Sequence, residues 1–536
     1  MSDSTPGAPV NKWLITVAVS CGTLMATVDS SIVNVALSQI RGSIGATVQE
    51  ITWASTSFII ATVLVLPLSG FFGRLFGQKR TYLAFLGLFI LSSLLCGLAW
   101  SLPSLVLFRA LQGLGAGMLV PTEQAILRQT WPPEEQGMAM SIFSVVVSVG
   151  PAIGPTLGGY LVDNFHWSWI FLINLPVGVL GFVLVGRFVE EPEDVRAANQ
   201  AAARLQRRNM DWAGIGLMWV GLASLQFVLE EGQHRDWFES REILLFTLLA
   251  GFALAAFVLR ELTAAAPAVD LRLFREPVFS SGVVLGGVMF FILIANLFLL
   301  PLFMQELLGF TAMQSGLALL PRTLVMIAVM PLIGRLYNRV SPRVLMTLGL
   351  GLVGLGVFRM MRVSLDTGTG DIVASIMLQG LGTSLLFVPL NVVVFDKVER
   401  ARLADAAGLN ALMRQMGSSV GLALFATLMT RYTAQAQVGL SAQVFAERPE
   451  LSERLASAMG GLVAGGVEGH EAVEGSLRLL SGTLQRQAAL LAFNRLFTLS
   501  ALLFALALPL LAFLWVSPGR KSQSEARNEV HADVEV

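Results

Sequence analysis

Leu111-Gln112-Gly113-Leu114-Gly115, followed by Pro121, returns later in the chain as Leu378-Gln379-Gly380-Leu381-Gly382, followed by Pro389. A second pair runs beside it, Pro67-Leu68-Ser69-Gly70 and Pro331-Leu332-Ile333-Gly334. The offsets are about 267 and about 264 residues, so two separate matches point to one duplication. A single match in Leu/Gly-rich sequence would decide nothing. The stretches lie in an apolar chain: 54% of its 536 residues are hydrophobic, 13% are charged, and the mean hydropathy is +0.70. Soluble domains carry roughly 25% charged residues. The deficit marks a chain dissolved in lipid.

Each crossing of a bilayer takes about 20 mainly apolar residues. Such segments fall near 13–37, 51–72, 81–100, 104–126, 138–161, 168–189, 212–230, 243–261, 279–303, 312–334, 344–363, 372–394, 405–430 and 491–516. The expectation is an all-α membrane protein with fourteen transmembrane helices. The seventh span is the shortest, and the thirteenth is weakened by Arg414. The first apolar run exceeds the roughly 7–15-residue core of a signal peptide, which predicts an uncleaved span.

Lys and Arg set the orientation. With the N-terminus inside, the cytoplasmic segments hold about 22 of them and the short outer loops about 5. Both termini are therefore expected in the cytoplasm. Both members of each repeat pair then cross in the same direction, so the repeat is parallel. It relates two six-helix bundles with two inserted helices between them. The organisation expected is residues 1–190 for the first bundle, 191–277 for the linker and inserted helices, and 278–518 for the second bundle. A tail, 519–536, follows. Within the second bundle, 432–490 reads as a long outer loop.

Charge within a span is costly, roughly 2.5–3.5 kcal/mol on insertion scales, and marks function by default. Asp29 lies in the outer half of the first span. Arg109 lies in the outer part of the fourth, with Gln112 on its face and Gly113 leaving room beside it. Their depths match, which predicts a pair. An apolar setting favours a protonated carboxyl and an adjacent Arg the ionised one, the physics of a proton-coupling switch. Asn34, Gln112, Arg322, Asn391 and Arg414 are expected to line a cavity between the bundles. The fourth span also carries Glu123, read as an interfacial charge in contact with water. In the fifth span, Gly150, Gly154 and Gly158 repeat every fourth residue among Pro151, Pro155 and Gly159, giving a smooth face that can flex between the halves.

Other chemistries find no support. Net charge is zero, which gives nucleic acid no footprint. Cys21 and Cys96 lie in apolar runs and read as buried hydrophobes. No lysine follows a glycine, so there is no P-loop, and Gly349-Leu-Gly351-Leu-Val-Gly354 lies inside a span with no strand before it. The four histidines are not at metal-ligand spacing. Neither catalytic residues nor a metal site nor an enzyme activity is expected.

These residues resemble the major facilitator superfamily, in particular its fourteen-helix drug:proton antiporters of the EmrB/QacA type, over essentially the whole chain. Val28-Asp29-Ser30-Ser31-Ile32-Val33-Asn34 is similar to that group's helix 1 motif. Arg109-Ala110-Leu111-Gln112-Gly113 is similar to its helix 4 motif, and Gly150 to Gly159 to its antiporter motif with an added proline. His166-Trp167-Ser168-Trp169 through Asn174-Leu175-Pro176 is similar to its helix 6 motif. Trp131-Pro132-Pro133-Glu134, Asp236-Trp237-Phe238 and the long outer loop resemble the EmrB branch. One motif departs. The loop after helix 2 reads Gly70-Phe-Phe-Gly73-Arg74-Leu-Phe-Gly77-Gln78-Lys79-Arg80, and Arg74 stands where the superfamily has Asp, which puts that residue's charge relay in doubt.

The resemblance implies proton-driven multidrug efflux across a bacterial inner membrane, with Asp29 and Arg109 coupling the proton and no cofactor beyond the proton gradient. It also implies small lipophilic or amphipathic drug-like substrates, some anionic, and in Gram-negative cells a periplasmic adaptor and an outer-membrane channel. A nutrient symporter or an exporter of one metabolite remains open beside this reading. An integral-membrane enzyme lacks a site, and a channel is disfavoured by the two-half repeat.

Overall fold

The computed structural model describes residues 11–509 except 209, 265, 366, 443 and 445–448, together with 511. The polar N-terminus and the 519–536 tail lie outside the described residues. Among the described residues all regular structure is helical. Lipid offers the backbone no partner, so each crossing segment must satisfy its own N–H and C=O groups.

Among the described residues thirteen helices are long and apolar enough to cross a membrane. In chain order the spans are α1 (Lys12–Ile44), α2 (Val48–Phe76), α3 (Gln78–Gly97), α4 (Leu102–Thr130), α5 (Gln136–Asn164), α6 (Trp169–Phe188), α7 (Trp212–Glu231) and α8 (Arg241–Thr263). They continue with α9 (Pro277–Glu306), α10 (Ala312–Leu336), α11 (Pro342–Met360), α12 (Thr369–Val393), α13 (Leu403–Ser441) and α14 (Gly469–Ala507). The helix outside the thirteen is α13. Arg414 and its polar neighbours lower its hydropathy, yet it packs against α9 and α14 as a member of the second bundle. Fourteen crossings result.

Helix ends follow local chemistry. The side chain of Asn11 caps α1 by accepting from the Trp13 N–H at 3.0 Å, and Gly45 closes the helix at φ 74°. Gly77 turns the chain between α2 and α3 at φ 86°, a conformation that penalises a side chain. Prolines interrupt α4, α5, α9, α10 and α12, which a packed membrane interior tolerates.

Helices α1–α6 pack among themselves, as do α9–α14. The inserted α7 bridges them: Trp219 Nε1 donates to the Leu64 carbonyl at 3.1 Å, and Gln226 donates to Ser419 at 2.9 Å. The inserted α8 leans on α7 and turns Phe252, Leu245 and Leu259 outward, as a lipid-facing helix does.

The expected long loop at 432–490 is largely helical. α13 extends to Ser441, a separate helix spans Pro449–Ala464, and α14 starts at Gly469, well before the anticipated 491. Helices leaving the bilayer alternate polar and apolar residues, so hydropathy alone does not detect them. At 39 residues each, α13 and α14 run roughly 58 Å, against a hydrocarbon core of about 30 Å.

Candidate functional site

Polar chemistry collects at three depths. Deepest within the first bundle, Asp29 of α1 meets Arg109 and Gln112 of α4. Arg109 Nη1 donates to Asp29 Oδ2 at 2.6 Å and to Gln112 Oε1 at 2.6 Å, while its Nε donates to the Ala54 carbonyl at 3.0 Å. Gln112 Nε2 donates to Asp29 Oδ1 at 2.9 Å. Two further residues, which sequence reasoning missed, join the cluster. Asn174 of α6 donates to Asp29 Oδ1 at 2.8 Å, and Ser93 of α3 accepts from both Asn174 and Gln112 at 3.1 Å. Phe58 lies 4.1 Å from the guanidinium carbon and Phe171 5.7 Å.

Five helices thus contribute to one dry knot, α2 through the Ala54 carbonyl and Phe58, with Asp29 at 0% and Arg109 at 1% exposure. Both carboxylate oxygens are used. The knot is intrabundle, since every partner belongs to α1–α6. Low dielectric strengthens such contacts and makes any loss costly. In the sequence Asn174 stands out only as part of a motif, because an amide in an apolar run signals far more weakly than a charge.

At the contact between halves, Asn391 of α12 is the hub. Its Oδ1 accepts from Gln124 of α4 at 3.3 Å and from Arg414 of α13, and its Nδ2 donates to Ser144 of α5 at 3.1 Å. Arg414 lies 5.3 Å from the Phe290 ring and its Nε has no hydrogen-bond partner. No carboxylate pairs with it among the described residues. Arg322 of α10 packs its stem against Gly380 of α12. Asn34 sits exposed about one and a half turns beyond Asp29 on α1, accepting from Ser55 at 3.2 Å. Hence Asn391 and Arg414 come together, Gln112 belongs to the Asp29 knot, and Asn34 and Arg322 are separate.

The third level is the side carrying the basic loops. There the halves are clasped by two seams. Ser69 donates to the Ala404 carbonyl at 2.8 Å, and Arg74 pairs with the 2%-exposed Asp405. Gly70 is essential to the fit, because a Cβ would occupy the space of the Asp405 carboxylate. In the second seam Gly137 of α5 lies against Gly334 of α10, and Asn338 donates to the Glu134 carbonyl at 2.5 Å. Gln129 and Arg400 exchange backbone-directed hydrogen bonds of 3.2 and 2.7 Å between the seams. The basic side is closed.

Arg74 therefore carries charge across the interface with the sign reversed: the carboxylate stands on the second half. Arg74 also donates to Gln206 and to the Ala268 carbonyl, both at 3.3 Å, tying in the linker. Arg80 is exposed, and Gly77 adjoins Glu191, whose carboxylate accepts from the Lys79 N–H at 2.9 Å.

Two expectations are corrected. Glu123 is not at a wet interface: it has 0% exposure, because α4 continues to Thr130 and places it roughly 10 Å inside the helix end. The glycine stripe of α5 is not a surface between the halves either. Gly150, Gly154 and Gly158 face Thr27, Ser31 and Ile32 of α1 in the same bundle, with Ser31 Oγ donating to the Gly150 carbonyl at 3.2 Å. Gly159 has open space, and Pro151 and Pro155 lie half-buried in the same helix. The other side of α5 meets α10.

Comparison with known proteins follows the same lines. A family profile described as the Major Facilitator Superfamily matches residues 19–422. The chain is 35% identical to the multidrug export protein EmrB of Haemophilus influenzae over 77% of this chain and 79% of that one. It is 30% identical to the fatty acid resistance protein FarB of Neisseria gonorrhoeae over 92% and 94% of the two chains. Its fold is similar to that of the proton:xylose symporter XylE, with a TM-score of 0.58 over 92% of this chain and 94% of that one at 13% identity.

Proposed function

From the chain's membership of the Major Facilitator Superfamily, a family of membrane transporters and not of enzymes, we propose that it exports small lipophilic or amphipathic compounds in exchange for protons. The observation that carries the proton half of this reading is the knot around Asp29. A carboxylate buried with no exposure, bound to one Arg and two amides from separate helices, changes its hydrogen bonding whenever its protonation changes. Helices α1, α4 and α6 are then repositioned together. That links a proton to the rocking of one bundle against the other.

The cargo half rests on the relatives named for multidrug export and fatty acid resistance. Arg414, buried at the hub without a carboxylate partner among the described residues, suits the anionic members of such a substrate range. With the basic loops in the cytoplasm of a bacterial cell, the clasped seams close the cytoplasmic side. Both termini then lie inside, and the extended ends of α13 and α14 project to the far side, where a periplasmic adaptor with its outer-membrane channel would dock.

Export into inverted membrane vesicles, driven by an imposed pH gradient, tests the reading. Asp29→Asn keeps the shape and removes the ionisable carboxyl, so gradient-driven export is lost when normalised to the amount of folded protein in the membrane. Unchanged gradient-driven export by Asp29→Asn overturns the assignment of the coupling site.

A further inference from the structure

We propose that Glu123 is a second proton-carrying residue of the transport cycle, held in the same bundle as Asp29 but nearer the basic side. The proposal rests on the proton exchange inferred above. Glu123 has 0% exposure on α4. Its Oε1 accepts from Ser20 Oγ of α1 at 2.7 Å, and its Oε2 has no hydrogen-bond partner. Among the described residues no ion pair reaches it.

The groups that face it explain why this matters. From α1 come Ser20, Cys21 and Thr23; the Thr23 hydroxyl is fully buried and itself without a hydrogen-bond partner. From α3 comes Tyr82, whose hydroxyl is already committed to the Val19 carbonyl. None of these is a cation. The neighbouring Gln124 turns the other way, to Asn391.

A bare carboxylate in such surroundings is costly, and a bound proton removes the cost while supplying the donor that the site lacks. Asp29 has three donors, one of them an Arg; Glu123 has one hydroxyl. Ser20 and Asp29 lie roughly 13 Å apart along α1, so the two carboxyl groups occupy successive levels of one α1–α4 seam. Gln124, the next residue of α4, binds Asn391 of the other half, so parting the halves changes the surroundings of this stretch of α4. A residue needed only to anchor Ser20 would serve as well as Gln; a proton carrier would not.

Infrared difference spectra of the full chain in lipid nanodiscs, titrated between about pH 5 and 10, read the proton directly. The wild type is expected to lose a protonated-carboxyl C=O absorption as pH rises, Glu123→Gln to lack that change, and Asp29→Asn to retain it. A Glu123→Gln titration identical to the wild type, or a wild type with no such change, overturns the proposal. Spin labels at Glu134→Cys and Lys397→Cys, with Cys21 and Cys96 replaced by Ala so that no new donor reaches Glu123, report the separation of the halves on the basic side. The distance is expected to shift with pH in this background and not after Glu123→Gln, with Glu123→Asp restoring it. A shift that persists in Glu123→Gln overturns the role. Neither readout needs a substrate. The exchange reading fails separately, through wild-type export that ignores an imposed pH gradient.

Discussion

Gln124 and Asn391, 267 residues apart in the chain, are hydrogen-bonded at 3.3 Å. The same offset separates Leu111 from Leu378, so equivalent positions of the two repeats touch each other. Such a contact places them on the pseudo-two-fold axis between the halves. The two seams obey the same relation: Gly137 against Gly334 in one, Gly70 near Ala404 and Asp405 in the other. Asn391→Ala removes an acceptor of Arg414, whose Nε already lacks a partner. A hydrogen bond to a charged group is worth about 1.5–3 kcal/mol. Thermal unfolding in detergent should show a loss of that order. Gln124→Ala, which deletes a neutral bond, should lose about 0.5–1.5 kcal/mol. Equal losses would mean that Asn391 is not the hub.

The pair between Arg74 and Asp405 makes the closed state of the basic side dependent on charge. Arg74→Ala strands a carboxylate that is 2% exposed with one oxygen already unbonded, and opening the seam lets water solvate it. The halves should therefore part more readily. A cysteine at Ala404, in a background lacking Cys21 and Cys96, should react with a membrane-impermeant maleimide about tenfold faster or more in Arg74→Ala. Arg74→Lys keeps the charge but loses the fork that also reaches Gln206 and Ala268, so its rate should fall between. Unchanged labelling in Arg74→Ala would deny the pair any part in closure.

Much of this architecture is legible in the sequence. Fourteen spans follow from hydropathy because lipid leaves the backbone no alternative to helices. The repeat offsets define the two halves, and two charges at matching depth bring Asp29 to Arg109. Other parts are hidden for physical reasons. Asn174 and Ser93 carry no charge, so an apolar run absorbs them without comment. Glu123 looks wet in the sequence because drawing the fourth span to 126 puts it near an end that lies at Thr130. The Asp405 partner of Arg74 is 331 residues away, and one acidic residue at a loop edge carries no signal of what it meets.

Glycines separate packing that closes the halves from packing that does not. At Gly137 a Cβ would press on the Gly334 carbonyl oxygen, a backbone atom of the opposite half that cannot rotate away. Gly137→Ala should hold the basic side ajar and slow the return to the closed state, so transport falls while the folded yield stays normal. A Cβ at Gly159 would meet nothing within 4 Å, so Gly159→Ala should transport like the wild type. Dye export normalised to membrane abundance compares the two. Equal activities would mean that the Gly137 seam opens too little in the cycle for its fit to matter.

Arg109→Lys keeps the charge and tests whether the shape of the guanidinium matters. Arg109 serves Asp29, Gln112 and the Ala54 carbonyl at once, from a flat group lying between Phe58 and Phe171. An ammonium is a compact point charge; it can keep the carboxylate but cannot hold all three acceptors in this fork or stack in the same way. The Lys variant should therefore fold at close to normal yield and lose most of its gradient-driven export. Arg109→Ala leaves Asp29 buried without its cation, for which about 3–5 kcal/mol of stability is the expected loss. Adding Asp29→Asn to Arg109→Ala removes the stranded charge and should recover much of that stability without recovering transport. Thermal unfolding and vesicle export, measured on the same four proteins, separate the two effects. Full export by Arg109→Lys would show that charge alone suffices at this position.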